Sequence, residues 1–349
     1  MSRTLAAAAR VVLKQYRFEV GAAVLAALAV GIWALVVEYR LDALDVPPGC
    51  IQDWLWRVDT GEDIAGCAGP MRTWGEILTG QGGIILEGEG MAPFSWMGVL
   101  PFAVGLLGGV PIVARELEAG TAQTAWSLNG LRTRWLLRQV MPVAILLGIA
   151  VAFAAFAVEA AVEADVAWGG YASFHIGDHG PLVLTRAVGA FGIGLLTGAL
   201  LGRTLPAFVS GAVLAFALVF AVDMAHDAWL KRLEPTVIAE VSPLTGEIVD
   251  VPRTVTTGWG VRTPEGAMIS FAEARVIVDA ARVAAPDPND EQDLTALGWL
   301  EEHGYTLLPL GVTDEMALGW APYDALAFGL VGVASIGGAV VLVNRRRPT

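Results

Sequence analysis

Residues 182–201 read LVLTRAVGAFGIGLLTGALL and residues 206–224 read PAFVSGAVLAFALVFAVDM, with only GRTL between the two runs. Each run is close to the ~20 residues that an α-helix needs to cross a ~30 Å hydrocarbon core. Arg203 and Pro206 favour a tight hairpin over one very long helix. The stretch therefore predicts two consecutive membrane spans.

Four further apolar runs of similar length lie on either side of this hairpin. The six predicted spans are 20–37, 96–114, 140–158, 182–201, 206–224 and 323–343. Of the 349 residues, 55% are hydrophobic and 16% are charged, and the mean hydropathy is +0.59. An ordinary soluble protein is less apolar than this. We therefore predict an all-α polytopic membrane protein with six transmembrane helices.

The charges are divided between the two sides of the predicted bundle. One side has three acids, Glu19, Glu116 and Glu118, and 12 basic residues, a net charge of +9; the remaining ten basic and 32 acidic residues give −22. The 12 basic residues are Arg3, Arg10, Lys14, Arg17, Arg115, Arg132, Arg134, Arg138, Arg203, Arg345, Arg346 and Arg347. The positive-inside rule then predicts cytoplasmic N- and C-termini. The total of −13 argues against a nucleic-acid partner.

This topology divides the chain into five parts. They are an N-terminal segment with span 1 (1–37), an outer loop (38–95), spans 2–5 (96–224), an outer domain (225–322), and span 6 with a basic tail (323–349). The second outer part is too long to lack structure of its own. Residues 237–261 read as strands, and 271–284 and 291–303 as helices, so a small extracytoplasmic α/β domain is expected between spans 5 and 6.

Both cysteines, Cys50 and Cys67, lie in the first outer loop. An oxidising compartment would allow them to form a disulfide, and two unpaired thiols are the alternative. His175 and His179 have the spacing of a helical metal pair. Glycines surround them, so a helix is not expected there and no metal site is predicted.

Ionisable residues within the spans bear on proton-coupled transport, because a charge at the bilayer centre is costly. Glu159, Glu163, Arg186, Asp223 and Asp324 are all expected near the outer ends of spans, where water or snorkelling can satisfy them. No proton relay through the core is predicted.

Small residues at every fourth position allow helices to pack closely. Gly194, Gly198 and Gly202 form such a ridge along span 4, available for packing within the chain or between chains.

Residues 114–135 read ARELEAGTAQTAWSLNGLRTRW and join spans 2 and 3 on the basic side. Leu117, Thr121, Ala125 and Leu128 recur at helical spacing, and the turn dipeptide at 129–130 follows them. The pattern predicts an amphipathic helix at the membrane surface over residues 114–130.

The run Ala-Arg-Glu-x-Glu-x-Gly-Thr followed by Ser-x-x-x-x-Arg resembles the segment after the second span in permease subunits of type-2 ATP-binding-cassette (ABC-2) exporters. The six spans, the cytoplasmic termini and the QYRFE run at 15–19 are similar to that family too, especially to actinobacterial members with large outer loops. In the family this segment is a coupling helix that docks into the ATPase subunit. The resemblance assigns coupling to Arg115, Glu116, Glu118, Gly120, Thr121 and Ser127, and a surface anchor to Arg132. A helix that merely connects two spans is the alternative.

The resemblance implies the transmembrane subunit of an exporter in a bacterial plasma membrane. A cytosolic ATP-binding subunit would hold ATP and Mg²⁺, and a second permease copy or a paralogue would complete the pathway. The sequence agrees, because Lys14 and Lys231 are its only lysines and neither precedes Ser or Thr, so a Walker A motif is absent. No catalytic, cofactor or metal residues are predicted. A membrane-anchored scaffold or sensor with an acidic outer binding domain is the alternative function, and a membrane enzyme is a distant third.

Overall fold

Among the residues that it describes, the computed structural model contains six helices that are long and apolar enough to cross a membrane. The residues that it describes are 10–44, 69–70, 73, 77, 92–122, 124, 126, 131–167, 180–233, 236–237, 254–270, 275–277, 279–280, 283, 299–300 and 302–346. The long helices are span 1 (Arg17–Asp42), span 2 (Ala92–Glu118), span 3 (Arg132–Ala167), span 4 (Gly180–Leu201), span 5 (Thr204–Leu230) and span 6 (Ala321–Arg345). Each predicted span falls inside one of them, so the six-helix prediction is confirmed.

The hairpin between spans 4 and 5 is as tight as its sequence predicts. Gly202 adopts a φ of +62°, a left-handed conformation that suits glycine and ends span 4. Arg203 is extended, and Pro206 lies in the first turn of span 5, where its missing N–H costs no helical hydrogen bond. The reversal therefore needs only two residues.

Span 4 lies between spans 2 and 6, and glycines bring the three backbones into contact. A Cβ on Gly109 of span 2 would lie 2.3 Å from the carbonyl oxygen of Phe191 on span 4. On the opposite side of span 4, a Cβ on Gly192 would lie 2.4 Å from the carbonyl oxygen of Gly332 on span 6. Without hydrophobic driving force inside a bilayer, close packing of this kind is what holds helices together. Spans 2, 4 and 6 thus form the packed centre of the bundle.

Spans 1 and 3 pair beside this centre. Span 1 buries a helical stripe that includes Val20, Ala23, Ala27 and Ala34. Gly31 continues the stripe, because a Cβ there would lie 2.6 Å from the Phe153 ring of span 3. Span 5 is the most exposed of the six helices.

The described residues between spans 5 and 6 include a four-stranded antiparallel sheet. Its strands are β1 (Thr236–Val237), β2 (Thr254–Arg262), β3 (Met268–Ser270) and β4 (Thr306–Thr313), in the order β1-β4-β2-β3. β2 overlaps the stretch predicted as strands, whereas β3 and β4 lie outside it. The described residues within 275–283 and 299–302 are helical.

β4 leads directly into the membrane bundle. The Thr313 hydroxyl accepts a hydrogen bond from the Met316 amide at 3.3 Å and so caps a short helix, Asp314–Leu318. Span 6 begins only three residues after that helix ends. The sheet is thus joined to span 6 by a short, structured connection.

Several predicted residues lie outside the described part of the chain. They are Cys50, Cys67, Ala125, Ser127, Leu128, His175 and His179. The disulfide therefore stays a prediction. Within the described ranges, no group of three or more His, Cys, Asp or Glu residues is placed to hold a metal ion.

Candidate functional site

The segment between spans 2 and 3 differs from the single amphipathic helix predicted over 114–130. Residues 114–118 are the last residues of span 2, which ends at Glu118, and Gly120 has a φ of +70°. The described residues 122, 124 and 126 are helical again beyond this break. The expected boundary was wrong because the apolar stripe crosses a glycine that adopts a left-handed backbone conformation and stops the helix. We call residues 119–131 the linker segment.

Glu116 connects span 2 to the residues just before span 1 and to the linker segment. Gln15 Nε2 donates a hydrogen bond to one carboxylate oxygen. The Thr121 hydroxyl donates to the other at 2.5 Å. Two residues predicted for coupling, Glu116 and Thr121, are therefore in direct contact. Gln15 belongs to the QYRFE run, but its contact with Glu116 was not predicted.

Two further residues of that run, Tyr16 and Glu19, also contact span 2. Arg115 Nη1 is 3.1 Å from Glu19 Oε1 in a largely exposed ion pair. The buried Tyr16 hydroxyl donates to the Ile112 carbonyl oxygen at 3.4 Å. Burial, with a further contribution from nearby Glu116, raises the pKa of Tyr16, so its hydroxyl stays protonated and able to donate. The two sequence runs on which the family resemblance rests thus pack against each other.

Glu118 holds the beginning of span 5. Its Oε2 accepts hydrogen bonds from the Thr204 amide at 2.9 Å and from the Thr204 hydroxyl at 2.7 Å. The amides of the first helical turn have no partner inside the helix, and a carboxylate there also interacts favourably with the helix dipole. Glu118 is therefore an N-terminal cap supplied by a different span. No local signal points to Thr204, which is 86 residues away.

Arg132, predicted as a surface anchor, binds the end of span 6. Its Nη1 donates to the carbonyl oxygens of Val343 at 3.2 Å, Asn344 at 3.1 Å and Arg346. The last carbonyls of a helix lack intrahelical partners, and a cation suits that end of the helix dipole. Next to it, the Thr133 hydroxyl and the Asn344 amide are hydrogen-bonded at 3.0 Å. The start of span 3 is thereby fixed to the end of span 6.

The same guanidinium also contacts the linker segment. Its central carbon lies 4.7 Å from the ring centre of Trp126, within cation–π range. Trp126 is buried, and its ring meets that of Trp135 edge-on at 6.1 Å. Sequence analysis did not single out Trp126; the available signal was a large aromatic residue in an otherwise small and polar stretch.

Arg346 makes a similar contact with span 4. Its Nη1 donates to the Ala199 carbonyl oxygen at 2.8 Å, at the end of that helix. Gly202 faces this guanidinium, since a Cβ there would lie 3.0 Å from Arg346 Nη2. Gly202 is therefore outside the helical packing ridge predicted for it. Gly194 and Gly198 do face span 2, where a Cβ on each would lie 3.1 Å and 2.7 Å from Val110 backbone atoms.

The opposite ends of the spans contain a buried ion pair. Arg186 Nη2 of span 4 lies 2.6 Å from Asp324 Oδ2 of span 6, and both residues are less than 10% exposed. The expectation that water or snorkelling satisfies these two groups was wrong, because the close packing of spans 4 and 6 encloses them. Glu159 has a protein partner as well: it accepts a hydrogen bond from the Gly180 amide at 2.7 Å.

An aromatic cluster joins spans 5 and 6 near this pair. The His226 ring stacks on Trp320 with centroids 5.7 Å apart and planes inclined by 16°. Trp229 and Tyr323 lie 5.7 Å and 5.4 Å from the same Trp320 ring. Aromatic residues of this kind are typical of the membrane–water interface.

Comparison with known proteins adds one finding. Residues 85–230 match a family model described as "ABC-2 membrane transporter related". The matched region contains spans 2 to 5 and the linker segment, and it excludes spans 1 and 6 and all four strands of the sheet. No curated protein and no solved structure matches the chain.

Proposed function

The match over residues 85–230 supports an ABC-2 type permease, and from that premise we propose that the chain is the transmembrane subunit of an exporter. ATP hydrolysis takes place on a separate cytosolic subunit, which binds ATP and Mg²⁺. The permease itself does no chemistry. Its task is to convert movement of the ATPase into movement of the spans.

The observation that carries this proposal is the set of contacts around the linker segment. Glu116 contacts the approach of span 1, Glu118 contacts the start of span 5, and Arg132 contacts the end of span 6. A subunit that pushes on residues 119–131 is therefore connected to three spans besides the two that the segment joins. A helix that merely linked spans 2 and 3 would have no need of these long-range contacts.

A second permease, either another copy or a paralogue, completes the pathway in this proposal. Spans 5 and 6 support it, because both present broad apolar faces to the outside of the single chain. Exposed residues on these faces include Phe216, Phe220, Leu326 and Leu330. Lipid covers whatever part of these faces the second permease leaves free.

A membrane-anchored sensor is the second candidate, and the outer sheet favours it. β4 is continuous with span 6 through the short helix Asp314–Leu318. A movement of the sheet on ligand binding would thus be passed to span 6 through a short helical connection. In this alternative the linker segment reports to a cytosolic partner that has no ATPase activity.

Purification of the tagged chain from its native membrane in mild detergent distinguishes the two candidates. The exporter proposal predicts that an ATP-binding subunit with a Walker A motif co-purifies and that the complex hydrolyses ATP in nanodiscs. The control is the same preparation from a Glu265→Gln variant, which alters an exposed turn of the sheet. A stable complex that lacks any nucleotide-binding subunit would refute the exporter proposal and favour the sensor.

A further inference from the structure

We infer that Arg132 is the positioning residue through which movement of the linker segment reaches spans 6 and 4. This inference rests on the proposed function, since it assumes an ATPase that acts on residues 119–131. It assigns to Arg132 a role different from a membrane-surface anchor. Three consecutive contacts support it.

The first contact is between the guanidinium and Trp126. Trp126 is only 7% exposed, and its ring also meets that of Trp135 edge-on. Because Arg132 lies 4.7 Å from the ring centre, the linker segment cannot shift without moving the guanidinium or breaking a cation–π contact. Movement at the linker is therefore passed to Arg132 directly.

The second contact is with the end of span 6. One guanidinium nitrogen is shared among three carbonyl oxygens, those of Val343, Asn344 and Arg346. Hydrogen bonds that involve a charged donor are roughly twice as strong as neutral ones. A lysine would bring a compact ammonium on a flexible stem in place of the planar guanidinium, so it would reproduce the charge but not the combined stacking and carbonyl contact.

The third contact continues from span 6 to span 4. Arg132 donates a hydrogen bond to the carbonyl oxygen of Arg346. The guanidinium of Arg346 in turn donates to the carbonyl oxygen of Ala199 on span 4. Spans 4 and 6 are already in backbone contact at Gly192 and Gly332. The two helices are therefore expected to follow Arg132 as one unit.

Two other contacts lie next to the linker segment, and they connect it to spans 1 and 5 instead of spans 6 and 4. Glu118 connects to Thr204 of span 5, and Glu116 connects to Gln15 before span 1. Loss of Arg132 is thus expected to uncouple spans 6 and 4 while the connection to span 5 stays intact. This separation is what distinguishes a positioning role from general destabilisation.

The test uses the complex of permease and ATPase in nanodiscs, with hydrogen–deuterium exchange measured without nucleotide and after trapping with ATP and vanadate. In the wild type we expect trapping to change exchange in three places: residues 119–131, the end of span 6 (340–346) and the start of span 5 (204–210). In Arg132→Ala the change at 340–346 is lost and the other two remain. Arg132→Lys is expected to restore it only in part.

Two further variants make the result decisive. Trp126→Ala breaks the same connection from the linker side, so it is also expected to abolish the change at 340–346. It provides the test if Arg132→Ala does not fold. Thr133→Ser keeps the hydroxyl that hydrogen-bonds to Asn344 and is the matched control, with all three changes retained. A persistent change at 340–346 in both Arg132→Ala and Trp126→Ala would overturn the inference and leave the exporter proposal standing. If the wild-type linker itself does not respond to nucleotide, the exporter proposal fails, and the inference fails with it.

Discussion

Arg186 on span 4 and Asp324 on span 6 form a buried ion pair, with Nη2 and Oδ2 2.6 Å apart. The pair lies on the same helix interface as the backbone contact between Gly192 and Gly332. Electrostatic attraction and close packing therefore act on one interface, the former near the N-terminal ends of the two helices and the latter further along both. Each can be tested separately.

Removing one partner of the ion pair is expected to be costly. Asp324→Ala removes the carboxylate that lies 2.6 Å from the buried Arg186 guanidinium, and breaking a buried ion pair typically costs about 3–5 kcal/mol. We expect the thermal unfolding midpoint of the purified protein in nanodiscs to fall markedly. The double variant Arg186→Met with Asp324→Leu should recover most of the loss, and Glu163→Gln, at an exposed position, should change little. Equal unfolding midpoints for Asp324→Ala and wild type would show that the pair contributes nothing.

Two glycines of span 6 are expected to respond differently to substitution by alanine. Gly332→Ala places a Cβ 2.8 Å from the Val188 carbonyl oxygen and is expected to destabilise by about 1–3 kcal/mol through overpacking. Gly329→Ala, one turn earlier in span 6, meets no atom within 4 Å and should be neutral or slightly stabilising. Thermal unfolding of the two variants side by side measures the difference. If both behave alike, spans 4 and 6 do not approach as closely as described.

The cap on span 5 predicts a local effect. Glu118→Ala removes the acceptor for the Thr204 amide and hydroxyl, so exchange of the first-turn amides of span 5 should become faster. Thr204→Ser keeps the hydroxyl and should preserve protection, whereas Thr204→Val should lose part of it. Hydrogen–deuterium exchange of residues 204–207 is the measurement. Unchanged exchange in Glu118→Ala would mean that this cap does not form.

The paired glutamates allow assembly to be separated from coupling. Both carboxylates are bound within the chain, so we expect Glu116→Ala with Glu118→Ala to leave the ATPase bound but to lower ATP turnover of the complex several-fold. Co-purification and phosphate release measure the two effects. Retention of both assembly and turnover would rule out the coupling role of these residues. If the ATPase no longer co-purifies with the variant, the two glutamates contact the ATPase directly.

The predicted pairing of Cys50 and Cys67 is open to a simple chemical test. Alkylation of the purified protein before reduction should leave its intact mass unchanged, and alkylation after reduction should add two groups. Closing a loop of this size contributes roughly 3 kcal/mol in the chain-entropy model. The Cys50→Ser, Cys67→Ser variant should therefore unfold at a lower temperature. Alkylation of two thiols without reduction would refute the disulfide.

The spans were predictable because each depends on its own composition: a run of ~20 apolar residues is a helix whatever surrounds it. The hairpin between spans 4 and 5 was equally local, since Arg203 and Pro206 were enough to indicate it. Span neighbours were not predictable in the same way. Inside a bilayer a residue that faces lipid and one that faces another helix are equally apolar, so hydropathy does not reveal which faces touch.

The candidate site shows the same division. Glu116, Glu118 and Arg132 were identified from a contiguous motif, but their partners lie 101, 86 and more than 200 residues away. The break at Gly120 was visible as a glycine in the middle of an apolar stripe, and helical spacing outweighed it in the prediction. Arg186 and Asp324 were each identified as ionisable, yet nothing in either neighbourhood indicates that they face each other.

The distance in sequence between Arg186 and Asp324 has a consequence for how the protein is made. The two residues are separated by 138 positions. At ~5–20 residues per second, the ribosome takes roughly 7 to 28 s to produce the carboxylate after the arginine. Span 4 is therefore made well before span 6, and the contact between Arg186 and Asp324 can form only after the second of these helices has been made. A chain truncated before residue 324 lacks this contact between spans 4 and 6, so it is expected to be a substrate for membrane quality control.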